Sequence, residues 1–243
     1  MGKRIMAKIL LGVTGSVAAI RAPALAAQLR AAGHQLKLVA TKSALYFFDP
    51  EQLKEAEGEK RRIGEKEDAD STFPFSGSWF FRDADEWPDR DSGRLYQRDD
   101  PVLHIELRRW ADLLLIAPLD ANTLAKLANG LADNCLMCVW RAWDVNRPVL
   151  LAPAMNTLMW EHPLTIRHLR QLAVDAQADP VPADLACEDL LTWINEHCSR
   201  LRIVPPISKR LACGDVGVGA MASVEEIVDA VQSCLMNVDG ARQ

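Results

Sequence analysis

IMAKILLGVTGSVAAI, residues 5–20, has the pattern of a buried strand that ends in a glycine–serine turn and opens a helix. The apolar residues 5–12 predict the strand. The Ala/Leu-rich residues 16–32 predict the helix, with Ser16 as its N-cap and Gly33 as its C-terminal stop.

The turn between this strand and helix can hold an anion, because backbone N–H groups there face outward with the positive end of the helix dipole. Its glycines are Gly12 and Gly15, so the full G-x-G-x-x-G is absent. A tight packing turn is therefore an equal alternative to a phosphate-binding loop.

The same alternation of strand and helix continues along the chain. Further strands are predicted at 35–41, 112–117 and 148–152, and helices at 42–48, 121–129, 133–143, 163–174 and 223–236. Continuous apolar runs such as DLLLIA and PVLLA suit interior strands of a parallel sheet that is covered on both faces. The fold class predicted is α/β, a Rossmann-like doubly wound parallel sheet, in which ligands lie at the carboxyl ends of the strands.

Length and composition fit a single domain over residues 1–243. The formal net charge is −5, which disfavours nucleic acid as a partner because a phosphate backbone needs a basic face. No apolar run approaches the ~20 residues needed to span a bilayer, so no membrane association is expected. The basic and apolar N-terminus superficially resembles a signal peptide, but its Gly, Thr and Ser residues favour strand, turn and helix.

Two segments look inserted, at residues 51–80 and 175–200. Residues 51–70 contain 13 charged side chains out of 20, eight acidic and five basic, and are predicted to be a solvated helix or a disordered loop. The second segment contains ADPVPAD and then DLLTWINEHC, which is predicted to be an amphipathic helix.

The end of the second strand points to a mononucleotide. A dinucleotide enzyme usually places an acidic residue there to hold a ribose hydroxyl, whereas this chain has Thr41, Lys42 and Ser43. Hydroxyls and a cation suit a phosphate, so FMN fits better than NAD. The alternative is that Thr41 or Ser43 only caps the next helix.

Polar residues also follow the two later strands. APLDANTLAK places Asp120, Asn122 and Thr123 at a strand end, and APAMNTLMWEHP places Asn156 at the next one. An asparagine both donates and accepts, so Asn156 can bind a carboxylate or an amide. Helix capping is the alternative, and it explains a single residue more easily than the cluster.

Histidine and cysteine supply the reactive candidates. His104 lies in DPVLHIELRRWAD on an apolar stretch that looks like a strand, where a hydrogen-bonded core histidine is the alternative to an acid–base group. Cys213, in KRLACGDVGVGAM, has a basic and glycine-rich setting, which favours reactivity. Cys135 and Cys138 form a lone C-x-x-C and are predicted to be buried thiols, and no metal site is predicted.

Together these motifs resemble the flavin-containing cysteine decarboxylase family. The resemblance rests on GVTGSVAAI, DADEW, DPVLHIELRRWADLLLIAPLDANTLAK, RAWD, APAMNTLMWEHP and PPISKRLACGDVGVGAMA, in that order. It covers about 7–48, 83–174 and 201–236, and implies a single flavoprotein domain with bound FMN.

The resemblance also implies a role for each matching residue. The FMN-binding set is Gly15, Ser16, Val17, Thr41, Ser43, Asp120, Ala121, Asn122, Thr123 and Ala154. The substrate-binding set is Asn156 and Met159, with Arg210, Leu211 and Ala212 in a flexible clamp. The catalytic pair is His104 and Cys213, with Cys213 as proton donor.

The activity implied is a carboxy-lyase reaction of coenzyme A biosynthesis, from 4'-phosphopantothenoyl-L-cysteine to 4'-phosphopantetheine. A cytoplasmic homotrimer with active sites at the subunit interfaces is implied as well. Two alternatives stay open: a regulatory binding protein, as some fungal relatives are, and a decarboxylase of peptidyl cysteine. The presence of His104, Asn156 and Cys213 in one chain favours an enzyme.

Overall fold

A parallel sheet of six strands forms the centre of the protein, in the order β3-β2-β1-β4-β5-β6. The structure is a computed structural model and describes residues 5–51, 75, 78–87, 93–176, 180–210 and 216–240. The strands are β1 Lys8–Val13, β2 Gln35–Ala40, β3 Phe80–Arg82, β4 Leu113–Leu119, β5 Val149–Pro153 and β6 Leu201–Ile203. The predicted α/β doubly wound sheet is confirmed.

Successive residues of the central strands alternate between two apolar cores. In β4, Leu114 and Ile116 belong to one core, whereas Leu113, Leu115 and Ala117 belong to the other. Because side chains alternate across a strand, a strand that is apolar at every position can fill both cores at once.

Helices cover both faces of the sheet. They are α1 Ala22–Ala31, α2 Leu103–Trp110, α3 Ala121–Asn129, α4 Cys135–Arg141, α5 Thr157–Trp160, α6 Pro163–Asp175, α7 Cys187–His197 and α8 Val224–Gly240. Helices α1 and α8 pack together on one face, and α2, α3, α4, α6 and α7 contribute to the core on the other. Within the described ranges, no helix is long and apolar enough to cross a membrane.

The helix predicted at 16–32 is divided in two, a 3-10 helix Val17–Arg21 followed by α1. Pro23 lies in the first turn of α1. Proline has no N–H to donate to the preceding turn, so it is tolerated at a helix start and disrupts a helix interior. The chain therefore restarts its helix at Ala22. Gly33 follows α1 with a φ of 95°, as its predicted role as a stop requires.

The expectation that His104 lies on a strand-like stretch is wrong, because His104 is the second residue of α2. Leu103 and Leu107 are fully buried and lie four residues apart, so the helical period places them on one buried face. A run of eight residues is too short for its apolar positions to distinguish the strand period of two from the helical period of 3.6.

The predicted inserted segments are described only in part. Residues 52–74 lie outside the described ranges, so the expectation of a solvated helix or loop at 51–70 stays a prediction. In the second segment, the amphipathic helix is confirmed as α7, which buries Leu190, Leu191 and Ile194. That the two segments are insertions stays a prediction.

A small antiparallel pair, β7 Ile207–Arg210 and β8 Val216–Ala220, packs against α5. The Met155 amide donates a 2.9 Å hydrogen bond to the Gly219 carbonyl. Gly219 has a φ of 141°, and a Cβ there would lie 2.3 Å from the Met155 carbonyl oxygen. Only glycine allows this close approach of β8 to the end of β5.

Candidate active site at the carboxyl edge of the sheet

Thr14 connects the loop after β1 to the loop after β4. Its buried hydroxyl donates to the Pro118 carbonyl at 2.8 Å and accepts from the Asp120 amide at 2.8 Å. Next to it, the Ser16 hydroxyl accepts from the Ala18 amide and caps the 3-10 helix, as predicted. The role of Thr14 was not foreseen from the sequence, although a hydroxyl residue at the tip of a buried strand was a signal for it.

The loop after β2 reaches the same place. The Thr41 amide donates to the Val13 carbonyl at 3.0 Å, and the Thr41 and Ser43 hydroxyl oxygens lie 3.3 Å apart. Neither side chain has a capping bond to the short 3-10 helix Ala44–Tyr46, for which Ser43 is the N-cap residue. The alternative that these hydroxyls only cap a helix therefore loses its support.

Gly15 is the point where the three loops meet. A Cβ at Gly15 would lie 2.6 Å from Ser43 Oγ and 3.4 Å from Asp120 Oδ2. The space beside Gly15 is thus bordered by the Ser43 hydroxyl and the Asp120 carboxylate, which belong to the loops after β2 and β4. Such a polar cradle at the carboxyl ends of parallel strands is typical of a ligand site in a doubly wound sheet.

The loops after β4 and β5 present helix N-termini to this edge. Asp120 Oδ1 caps α3 by accepting from the Thr123 amide at 2.7 Å, and Asn156 Oδ1 caps α5 by accepting from the Leu158 amide at 2.8 Å. The Ala154 amide donates to the Leu119 carbonyl at 2.9 Å and so joins the two loops. Capping, left open as the alternative for Asp120 and Asn156, is thus observed, and it leaves ligand binding possible.

His104 belongs to a second group of residues on α2. Its Nδ1 lies 2.5 Å from Oε1 of Glu86, in the 3-10 helix Asp83–Glu86. The Glu86 side chain is buried, with 4% of its surface exposed, and that of His104 is 19% exposed. His104 is therefore both a hydrogen-bonded histidine and one whose ring reaches the surface. Glu86 was missed in the sequence, where the acidic motif DADEW was noted without a role.

Asp83 connects this second group to the loop after β2. Its Oδ2 accepts from the Lys42 amide at 3.1 Å. Burial raises the pKa of Asp83, while the amides of Lys42 and Cys135 act in the opposite direction by stabilising the carboxylate. The groups around Gly15 and His104 are thus joined through one side chain.

The clamp predicted at Arg210, Leu211, Ala212 and Cys213 is described only at its start. Arg210 ends β7, and the backbone of β8 follows beside Thr157 of α5. Leu211, Ala212 and Cys213 lie outside the described residues. The remaining cysteines, Cys135, Cys138, Cys187, Cys198 and Cys234, are free.

Burial raises the pKa of Cys135 far above its usual range and also raises that of Cys138, as expected for buried or half-buried thiols. No group of three or more potential ligands for a metal ion occurs in the described part of the chain.

Several exposed side chains at the edge around the site are apolar. Five large side chains there are between 46% and 87% exposed: Val17, Ile20, Tyr46, Leu158 and Met159. An apolar rim around a polar cradle is typical of a surface that a ligand or another chain covers.

Comparison with known proteins agrees with this architecture. Residues 3–236 match the Flavoprotein family. Phosphopantothenoylcysteine decarboxylase of Mus musculus is 42% identical over 229 residues, which are 94% of this chain and 87% of the mouse protein. The Arabidopsis thaliana enzyme of the same name is 40% identical over 225 residues, 93% of this chain and 83% of the plant protein.

Solved structures give the same result. A cysteine-to-serine mutant of PPC decarboxylase complexed with pantothenoylaminoethenethiol has a TM-score of 0.69 and 37% identity, covering 96% of this chain and all of the other. The FMN binding protein AtHal3 has a TM-score of 0.64 and 38% identity, covering 95% and 96%. With matches across almost the whole length and a shared fold, the chain belongs to the Flavoprotein family, alongside the phosphopantothenoylcysteine decarboxylases.

Proposed function

We propose that this protein is an FMN-dependent phosphopantothenoylcysteine decarboxylase, which converts 4'-phosphopantothenoyl-L-cysteine to 4'-phosphopantetheine in coenzyme A biosynthesis. The observation that carries the proposal is the meeting of three strand-end loops at Gly15, in a chain 42% identical to a decarboxylase of this name. A reducing cytoplasm suits a protein whose described cysteines are all free.

The residues around Gly15 fit FMN. The hydroxyls of Ser16, Thr41 and Ser43 are suited to a phosphate, and no acidic side chain stands at the end of β2 to hold a second ribose. Gly15 leaves open a space that a Cβ would fill, between Ser43 and Asp120. The other proposed contacts are Val17, Ala121, Asn122, Thr123 and Ala154.

When bound, FMN supplies the two-electron oxidation and reduction that make the cysteine carboxylate easy to lose. The protein's part is to hold the substrate while the bond from Cα to the carboxyl carbon breaks and CO2 leaves. Asn156 holds that carboxylate: its Oδ1 is fixed by the Leu158 amide, which orients the amide group that donates. Met159 provides an apolar contact beside it.

His104 orients the reacting end of the substrate and holds a proton there through its ring. Arg210, Leu211 and Ala212 cover the bound substrate, and Cys213 delivers the final proton to carbon. A thiol suits this step because its reference pKa of ~8.5 makes it a far stronger acid than a serine hydroxyl.

The active unit proposed is a homotrimer in which His104 and Asn156 of one site come from different subunits. Within one chain, His104 contacts Glu86, whereas Asn156 caps α5 beside β8. The exposed apolar rim, which includes the proposed substrate contact Met159, supports a neighbouring subunit at this edge.

The test is to purify the protein, release its cofactor by denaturation and identify it by mass, and then assay the substrate. We expect FMN, stoichiometric CO2 and 4'-phosphopantetheine. FAD, NAD or no cofactor after reconstitution would contradict the cofactor assignment. Turnover of a peptide with a C-terminal cysteine, but not of 4'-phosphopantothenoylcysteine, would show a different substrate.

A further inference from the structure

We infer that Glu86 is the positioning residue of His104: its carboxylate holds the ring through Nδ1 and so directs Nε2 toward the substrate. The inference rests on the proposed function, since it assigns His104 a place in that reaction. It adds a residue to the site that lies 18 positions before the histidine in the chain.

The first support is the short contact itself. Glu86 Oε1 and His104 Nδ1 are 2.5 Å apart, which is hydrogen-bond distance. A carboxylate oxygen accepts and a ring N–H donates, so this bond favours the tautomer with the hydrogen on Nδ1. The tautomer of a histidine is set by the bond that its other nitrogen makes, so Nε2 becomes the end available for chemistry.

The second support is the burial of the carboxylate. Glu86 is 3% exposed, and its Oε2 has no hydrogen-bond partner among the described residues. A buried carboxylate needs partners, and those described for Glu86 are the His104 ring and the Cys135 thiol. A carboxylate kept in such a place for stability alone would be better replaced by an apolar side chain.

The third support is that the surroundings leave the pair little freedom. The 3-10 helix Asp83–Glu86 packs against α2 and α4, and Cys135 of α4 lies near the Glu86 carboxylate. The other titratable groups around the pair are Asp83, Asp133 and Cys138, and among the described residues no lysine or arginine forms an ion pair with Glu86. Packing against α2 and α4 thus fixes Glu86 in the interior, while the His104 ring reaches the surface.

Two variants separate positioning from folding. Glu86→Gln keeps the shape and an acceptor for Nδ1 but removes the charge, and Glu86→Leu removes the acceptor. We expect kcat to fall about tenfold for Glu86→Gln and about a hundredfold for Glu86→Leu, with KM within about threefold of the parent. The matched control is Glu106→Gln on α2, a carboxylate paired with Arg109, which should leave kcat within about twofold.

The protonation of the two His104 ring nitrogens can be measured without turnover by nitrogen NMR at pH 8. The His104 signals are assigned because they are missing from the spectrum of His104→Asn. We expect a protonated Nδ1 in the parent and loss of that state in Glu86→Leu.

An unprotonated Nδ1 in the parent would overturn the inference. So would a kcat within about twofold of the parent for both Glu86→Gln and Glu86→Leu, which is the range expected of the Glu106→Gln control. If the parent fails to decarboxylate the substrate, the proposed function is wrong, while the NMR measurement on the parent and on Glu86→Leu still decides whether Glu86 sets the ring.

Discussion

At Gly15, one methyl group would enter the space on which the cofactor site depends. Gly15→Ala places a Cβ 2.6 Å from Ser43 Oγ, well inside contact distance. We expect FMN affinity to fall about tenfold or more, with little change in thermal stability because the strand itself is untouched. Fluorescence titration of the apoprotein with FMN measures this change.

Ser43→Gly supplies the control for Gly15, since it removes the side chain that the new methyl group would meet. Because Ser43 is itself a proposed FMN contact, the double variant is compared with Ser43→Gly: in that background Gly15→Ala should lower FMN affinity by less than it does in the parent. Equal FMN affinity in Gly15→Ala and the parent would show that the cofactor does not lie in this cradle.

The reactivity of the individual cysteine thiols gives a second test on single residues. Burial raises the pKa of Cys187 to about 11, so about one Cys187 thiol in a thousand is ionised at pH 8. Burial also raises the pKa of the other described cysteines. Brief treatment with iodoacetamide at pH 8 should therefore modify Cys213 first, as peptide mass spectrometry would show, and Cys187 should react faster as the pH rises toward 11.

Cys213→Ser is the matched control for the thiols and also tests the proton donor. It should remove the fast-reacting site, and it should still release CO2 while formation of 4'-phosphopantetheine drops sharply. Rapid modification of Cys187 ahead of Cys213, or normal product at the parent rate, would contradict these assignments.

Among the elements, the β8–α5 contact has the most specific requirement. Gly219→Ala would place a Cβ 2.3 Å from the Met155 carbonyl oxygen at a φ of 141°. We expect a loss of about 1–3 kcal/mol in the free energy of unfolding and a raised substrate KM, because Asn156 follows Met155. Denaturant unfolding and steady-state kinetics measure the two effects.

Gly217→Ala is the control in the same strand. A Cβ there meets the side chain of Thr157 at 2.7 Å, and its φ is not in the left-handed region. The atoms that this Cβ would meet belong to a side chain and not to the backbone, so we expect a smaller effect than at Gly219. If Gly217→Ala and Gly219→Ala behave alike, the backbone argument for Gly219 fails.

The elements also show what the sequence can predict. The buried strands β1, β4 and β5 and the helix α3 were predictable because uninterrupted apolar runs and caps are local signals. The helix that contains His104 was not predictable, since a strand period and a helical period are hard to distinguish over eight residues.

Contacts between residues that are distant in the chain could not be predicted from the sequence either. The Thr14–Asp120 and Glu86–His104 bonds join residues 106 and 18 positions apart, and no pattern in a single sequence specifies such pairs. The flavin-loop residues were predicted from their motifs. That three of those loops meet at Gly15 follows from the parallel order of the strands.

For the whole molecule, the proposed shared site can be tested by mixing subunits. His104→Asn and Asn156→Asp should each be inactive. After subunit exchange in equal amounts, we expect about one quarter of the sites to regain both residues and the same share of activity. Mixed trimers verified by native mass spectrometry that remain inactive would contradict a site shared between subunits.

Asp83 links the loop after β2 mechanically to the 3-10 helix that supports His104. Its carboxylate accepts from the backbone of Lys42, between Thr41 and Ser43, and the helix that begins with it ends at Glu86. A displacement of the phosphate-side loop therefore pulls on the support of the histidine ring, and a displacement of the ring pulls back. We therefore expect a change at His104 to alter FMN affinity, and by reciprocity FMN binding to alter the alignment of the ring by the same free energy, which FMN titration of His104→Asn would measure.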